Sequence, residues 1–391
     1  MSATLGDPVR SVRGTAAIPW YLWCAALAVT SAYIGGYWDI SWHRSIGRDS
    51  FWTAPHMAIY ACGVLAGISS AYLIFSTTFG RGPRYDAMRA SSVRIWGLRG
   101  PIGAFICAWG GVAMLASAPF DDWWHNAYGL DVKIISPPHM ILAGGFFGIE
   151  FGTVMLLLAF MNRAGERARR PLQRLFLYVG GTCVAESLIL KLEYIARPDM
   201  HNSLFYIVVM IGTPAILIAI AVASQQRWAS TIMAAVYSAF NLAFLWILPL
   251  VPAEPKLGPV FHPVTHLIPW EFPLLVIVAA FVADLILQRT DRWWPIARGL
   301  AGGVAFFVAF VMVQWPFANF LMLPFARNWF FGTQYFDYGT RPTSAYAMYQ
   351  FFPRDRSPNA FWRGMMIALV LSCAMTWIGI RAGRAMQHIK R

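Results

Sequence analysis

Two stretches of the chain carry the residues best suited to chemistry. In the first, Asp39 is followed by His43, Gly47, Asp49 and Pro55-His56; in the second, Asp121 is followed by His125, Gly129, Asp131 and Pro138-His139. From each first histidine the glycine lies four residues on and the second aspartate six, while the second histidine follows at +13 in one copy and +14 in the other. A carboxylate at i and an imidazole at i+4 share one face of a helix. One hard oxygen and two imidazoles suit Cu(II), Zn(II) or Fe(II), with coordination positions left open. The spacing therefore predicts a three-ligand metal site built twice, from Asp39, His43 and His56 and from Asp121, His125 and His139. An interfacial Asp–His ion pair beside Trp42 is the plainer reading of either copy alone; the repeat argues against it. Asp49 and Asp131 either orient an imidazole or cap the helix that follows. Asp122, one residue off the i, i+4 register, is the less regular partner for His125.

The elements that hold these residues must be membrane helices. The chain has 391 residues, 58% hydrophobic and 16% aromatic but only 13% charged, against about 25% charged in an ordinary soluble protein. Apolar runs of about twenty residues recur along it, each long enough to cross the hydrocarbon core. The expectation is an all-α, polytopic integral membrane protein with about ten transmembrane helices, near 17–38, 55–77, 98–118, 138–160, 172–195, 203–224, 228–251, 267–288, 297–319 and 361–383.

The net charge of +13 comes from arginines clustered in alternate loops. Arg10 and Arg13 precede the first span; Arg81, Arg84, Arg89 and Arg94 follow the second, and Arg163, Arg167, Arg169 and Arg170 the fourth. Arg227 follows the sixth span and Arg289, Arg292 and Arg298 the eighth, while Arg381, Arg384, Lys390 and Arg391 follow the last. This is the pattern of the positive-inside rule, which places both termini in the cytoplasm and argues against nucleic-acid binding. The long apolar run after Arg13 lacks an obvious cleavage site, so a retained first span is expected rather than a signal peptide. On this topology seven of the eight histidines, all but His388, fall at the outer face.

Other polar residues carry weaker signals. His262 and His266 are four apart with Glu271 nearby, but Pro263, Pro269 and Pro273 interrupt the stretch, which favours interfacial structure over a third metal site. Glu186, Lys191 and Glu193 suggest a charge pairing, Asp284 a helix cap or a residue facing a neighbouring helix, and Asp199 and His201 ordinary loop residues. Cys24, Cys62, Cys107, Cys183 and Cys373 all lie in apolar segments without close pairs, as core residues do. No phosphate-cradling GxxxxGK[ST] loop, Cys-x-x-Cys-His haem attachment, HExxH zinc box or clustered di-iron histidine box is present.

The Asp39–His56 stretch resembles the C subunit of particulate methane and ammonia monooxygenases, a family in which a D-x3-H-x12-H array binds copper in the membrane. Asp121, His125 and His139 match the spacing of that family's second copper-binding array, with Asp where the family has Asn. The span that opens at His139 looks like the closing helix of that subunit, and the resemblance runs over roughly Trp20–Arg163. The remainder is similar, chiefly in the order of its spans, to the A subunit of the same enzymes. Val282–Leu287 and Asp337-Tyr338-Gly339-Thr340-Arg341-Pro342, within the long outer segment Asn319–Ala360, carry that likeness.

The resemblance implies residues 1–170 as a C subunit-like four-helix domain with both Asp/His/His motifs, and 171–391 as an A subunit-like six-helix domain. The basic stretch 162–170 joins them. It further implies a copper-dependent monooxygenase in the cell inner (cytoplasmic) membrane that hydroxylates ammonia, methane or a short hydrocarbon with O2. Catalysis would sit at Asp39, His43 and His56. Implied partners are a periplasmic cupredoxin-like B subunit, a quinol or other electron donor, and further copies of the complex in a trimer. Two other functions fit the same residues: a non-catalytic copper-binding or copper-handling membrane protein, and a b-type cytochrome membrane anchor.

Overall fold

The computed structural model describes residues 17–129 and 136–390. Arg10, Arg13, Asp131 and Arg391, which figure in the expectations above, lie outside the described residues. Most of the described chain is helical, with almost no sheet. Its one sheet among these residues is a two-stranded hairpin of β1 (Val93–Ile95) and β2 (Leu98–Gly100). Seven helical segments are long and apolar enough to cross a membrane: Ala54–Phe79, Ile102–Tyr128, Pro137–Met161, Ser203–Ser224, Ala229–Leu250, Pro295–Leu321 and Pro358–Met386. Their outward residues are large and apolar, as with Ile68 and Phe75 or Phe147 and Phe151. Helices can present such faces to lipid because their backbone polar groups are satisfied internally. The chain is a multi-pass membrane protein.

The chain forms two compact units that interleave in sequence. The first is Met1–Gly35, Ser50–Val179 and Ala385–Arg391; the second is Gly36–Asp49 and Gly180–Arg384. Helix α1 (Trp20–Ser45) therefore belongs to the first unit through Gly35 and to the second from Gly36.

The first unit continues with α2 (Ala54–Phe79), a short α3 (Pro83–Ala90), the hairpin, α4 (Ile102–Tyr128), α5 (Pro137–Met161) and most of α6 (Glu166–Ile189). Its core gathers Ala28, Val29 and Ala32 of α1, Ile59, Cys62 and Ala66 of α2, Met114 of α4 and Ile149 of α5. Small residues let α4 and α5 approach backbone to backbone. A Cβ on Gly110 would stand 2.7 Å from the Gly145 carbonyl, and one on Gly152 would stand 2.7 Å from the Cys107 amide. Such glycine stripes replace the hydrophobic effect as the basis of helix pairing in lipid, where dispersion at short range decides. Asp121 and His125 follow Gly110 and Met114 at helical spacing and so lie on the α4 face turned towards α5. Both α2 and α5 begin with proline in the first turn, where its missing N–H is harmless, and each proline carries its histidine into that turn.

The second unit holds α7 (Ser203–Met210), α8 (Thr213–Ser224), α9 (Ala229–Ile247), α10 (Val276–Arg289), α11 (Pro295–Leu321) and α12 (Pro358–Met386). Helices α7 and α8 form one span interrupted at Ile211-Gly212, where Gly212 has φ +82° and Pro214 follows. Asp284 on α10 caps α9, accepting from the Thr231 amide at 2.9 Å and its hydroxyl at 2.8 Å. The segment Gly36–Asp49 is anchored in this unit by Tyr37 stacked on Phe244 at 4.3 Å. The Ile268 amide donates to Ser45 Oγ at 2.6 Å, and the Lys256 amide to the Ile46 carbonyl at 2.8 Å.

Candidate metal centres

Asp121, His125 and His139 come together in the first unit. Asp121 Oδ2 lies 3.4 Å from His125 Nε2, and Asp121 Oδ1 lies 3.5 Å from His139 Nε2. One donor atom from each residue falls within 4.8 Å of the others. These separations are long for N–H···O hydrogen bonds, which centre near 2.9 Å. They are the spacing of neighbouring ligands around a shared ion: two donors each ~2.1 Å from a tetrahedral centre stand about 3.4 Å apart. Asp121 Oδ1 is buried and accepts no hydrogen bond from the described residues. A buried carboxylate oxygen without a donor is costly unless a cation meets it.

The glycine four residues after the first histidine has a visible task here. Gly129 ends α4 with φ +88° and ψ −177°, a backbone conformation open almost only to glycine. Its carbonyl accepts from His125 Nδ1 at 3.2 Å. A carbonyl only accepts, so Nδ1 carries a proton and the ring is turned with Nε2 towards Asp121, the arrangement that orients metal-binding histidines. His139 is held in the first turn of α5, its amide donating to the Ser136 hydroxyl at 3.4 Å. Phe120, Trp123, Trp124 and Tyr128 pack stacked, edge-on or tilted against one another on the same end of α4. Asp122 turns elsewhere, and its carbonyl accepts from Asn126 Nδ2 at 2.8 Å.

The first motif is divided by the boundary between the units. Asp39, His43 and Asp49 belong to the second, where His43 Nε2 lies 3.7 Å from Asp39 Oδ2 and 3.4 Å from Asp49 Oδ2. The Gly47 backbone hydrogen-bonds the His43 ring, echoing Gly129 and His125, and Gly47 has φ +81°. His56 belongs to the first unit, with Nδ1 2.9 Å from the Ser50 carbonyl. Asp49 does not cap α2. That helix starts at Thr53, whose side chain makes no capping bond.

The remaining polar residues take structural places. His262 stacks on Phe336 at 5.3 Å and His266 stands edge-on to Tyr335 at 5.3 Å. Among the described residues neither joins a group of three metal donors. The Lys191 ammonium donates to Ser187 Oγ at 3.1 Å and to the Ile211 carbonyl at the break between α7 and α8, rather than to a carboxylate. Asp199 and His201 are not loop-surface residues. Asp199 is 1% exposed and meets Arg354 Nε at 2.8 Å, and His201 is sandwiched between Trp315 and Phe351 with centroids 4.0 and 3.6 Å away. Burial lifts the Asp199 carboxyl to about 6 against the pull of Arg354.

Sequence reasoning passed over a polar cluster in the second unit. Arg197 is 1% exposed, with its guanidinium over the rings of Tyr346 and Tyr349 at 4.7 and 5.1 Å. Its Nη1 donates to the Thr333 carbonyl at 3.2 Å, and its amide donates to Glu271 Oε2. Arg44 lies over Trp270 at 4.8 Å and 3.8 Å from Asp337 Oδ2. A signal existed: charged residues are expensive in so apolar a chain, and those that persist have partners. The partners, though, come from four separate stretches and share no spacing. Compared with protein-family models, with curated proteins and with solved structures, the chain matches none.

Proposed function

We propose that this chain is a copper-binding membrane protein that serves as the membrane subunit of a monooxygenase-like complex. The observation that carries the reading is the Asp121/His125/His139 group, with donor separations of 3.4 and 3.5 Å. Two imidazoles and a carboxylate suit copper in both oxidation states and leave coordination positions open. Bound copper would supply the one-electron chemistry that O2 reduction needs.

The chain's own residues prepare the place. Asp121 faces both imidazoles, the Gly129 carbonyl orients the His125 ring, and aromatic side chains gather on the same end of α4. Following the motif spacing, we assign oxygen chemistry to Asp39, His43 and His56, and a second copper to Asp121, His125 and His139. In this reading about ten spans cross the cell inner membrane with both termini cytoplasmic. The substrate is ammonia, methane or a short hydrocarbon. Electrons arrive from a quinol or other donor, and the complex is completed by a periplasmic cupredoxin-like subunit and by further copies of itself.

A second reading, copper handling without catalysis, is favoured by partial openness. The side chains of His125, Asp121 and His139 are 20%, 19% and 31% exposed, which suits a site that loads and releases its ion. Metal analysis of the purified protein, wild type beside His125→Ala and His43→Ala, tests metal binding; loss of about one copper per chain from each variant is the expected result. Oxygen-dependent product formation in the copper-loaded complex then separates the two readings. Bound copper without turnover, with its partner subunit present, leaves handling.

A further inference from the structure

Between α2 and α4 the first unit carries a hairpin whose residue choices work against its own stability. Strands β1 and β2 pair Val93 with Gly100, Arg94 with Arg99 and Ile95 with Leu98. Val93, Ile95 and Leu98 share the half-buried face, and both arginines stand exposed on the other. The Arg99 amide donates to Thr78 Oγ1 of α2 at 2.8 Å. Arg94 and Arg99 are therefore the pair without mutual backbone bonds, in which side chains stand closest. Like charges directly opposite destabilise such a ladder. The turn is Trp96-Gly97, with φ +49° and +85°; turns of this kind favour asparagine or glycine in first place, not a bulky ring. We propose that the hairpin is a binding site for the headgroup of an anionic phospholipid, with Arg94 and Arg99 on the phosphate and Trp96 at the boundary of headgroup and acyl chain.

Position and charge both fit that occupant. The hairpin joins the ends of two membrane-spanning helices and so lies at the membrane surface. Helix α4, with 27 residues, is about 40 Å long against a hydrocarbon core of about 30 Å, so its end turns stand among headgroups. Trp109 lies about 10 Å along α4 from Ile102. It is 52% exposed, and the 80% exposed Trp96 meets it edge-on with ring centroids 5.1 Å apart. The turn thus folds back beside an outward side chain of α4 instead of standing above the helix in water. At that depth the apolar body of an indole meets acyl chain while its N–H meets headgroup. Residues 80–101 hold five arginines and a single acidic residue, Asp86, and Asp86 is taken by Arg89. Among the described residues neither the Arg94 nor the Arg99 guanidinium has an ion-pair or hydrogen-bond partner. Two guanidinium forks side by side match the oxygens of a phosphate, and an anion between them turns their repulsion into a shared attraction.

The test titrates the full-length protein in detergent with phosphatidylglycerol, with phosphatidylcholine and with inorganic phosphate, counting bound molecules by native mass spectrometry. Phosphatidylglycerol should bind more tightly than the other two, and less tightly as salt rises. Each arginine removed should weaken its binding about 5-fold, so Arg94→Gln/Arg99→Gln should lose about 25-fold. Trp96→Asn should also bind the lipid less well, while its melting temperature in lipid-free detergent stays level or rises, because asparagine suits the turn. Those two readouts together show that the variant is folded and that the ring acts on the lipid. Equal affinity for phosphatidylcholine, or unchanged phosphatidylglycerol binding in the double variant, overturns the proposal. Inorganic phosphate that binds as tightly as the lipid overturns it in favour of a free anion. An equal loss in Arg81→Gln/Arg84→Gln, two exposed arginines outside the hairpin, overturns it in favour of a diffuse basic surface. A Trp96→Asn protein that melts lower and binds the lipid as before overturns the role given to Trp96.

Discussion

The two copies of the Asp/His motif differ in what surrounds the same local design. Each first histidine is hydrogen-bonded by the backbone of a glycine four residues on, and both glycines have strongly positive φ. Among the described residues nothing stands within 4 Å of where a Cβ on Gly129 would be, whereas Gly47 is packed under the Tyr338 ring. The Asp121 group is completed by the opening turn of the next helix. The Asp39–His43 pair is met by Asp49 from the intervening loop. The same local pattern thus sits inside a helical pair in one copy and under a long-range clamp in the other. Shared spacing sets the orientation of the first histidine; tertiary context selects its companions.

The largest expected effect comes from ligand removal in the helical copy. Asp121→Ala takes away the carboxylate that faces both imidazoles, and the first unit should lose its copper, read as about one ion fewer per chain. An undiminished count in that variant would break the contrast, because it would leave the Asp39 copy as the sole metal-binding group. Substituting the two glycines comes next. Gly47→Ala meets both backbone strain and the Tyr338 hydroxyl, and overpacking adds about 1–3 kcal/mol to a strain of similar size. Thermal unfolding in detergent should drop by several degrees. Gly129→Ala meets strain but no neighbour among the described residues, so its melting temperature should fall less, while copper affinity at His125 weakens roughly 10-fold as its orienting bond loosens. Equal losses of melting temperature would remove the distinction between the copies.

The smallest effect is a pH dependence in the second unit. The folded carboxyl of Asp199 sits near 6, above its ordinary value of 3.8. The folded state therefore binds this proton more tightly than the unfolded one. The resulting stabilisation is complete below about pH 4 and disappears as the pH rises through 6. Asp199→Asn should flatten that part of the stability curve between about pH 4 and 7, measured by thermal unfolding at matched ionic strength.

Much of the helical framework is legible in the sequence, because apolar runs and proline-led starts are local signals. Pro55 and Pro138 announce the first turns of α2 and α5, and the i, i+4 spacing by itself puts Asp121 and His125 on one helix face. Three spans anticipated from composition, near 17–38, 172–195 and 267–288, correspond to helices outside the set that is long and apolar enough to cross a membrane. In the last, α10 runs only from Val276 to Arg289, after the prolines at 263, 269 and 273 keep the preceding chain extended. What the sequence hides is long-range. Nothing in the spacing of Gly36–Asp49 reveals that it packs with Phe244, Ile268 and Tyr338. Nothing near Asp199 foretells Arg354, and Arg197 gives no hint of Tyr346. Asp49 is the instructive case: six residues from His43 it reads as a cap, and only the turn at Gly47 brings it back.

One bond outside both motifs bears on how the protein is made. Asn162, at the end of α5, has its Nδ2 within 2.9 Å of the Met386 carbonyl and 2.8 Å of the Ile389 carbonyl, and residues 385–391 belong to the first unit. The ribosome must therefore deliver the whole of 180–384 before the first unit receives its last piece. Until then the α5 terminus presents an amide with no backbone to hold, and the earlier-made unit waits on the later one. Order of synthesis and order of completion run in opposite directions here, so a nascent chain stalled before Met386 should carry a first unit that is inserted but not yet locked.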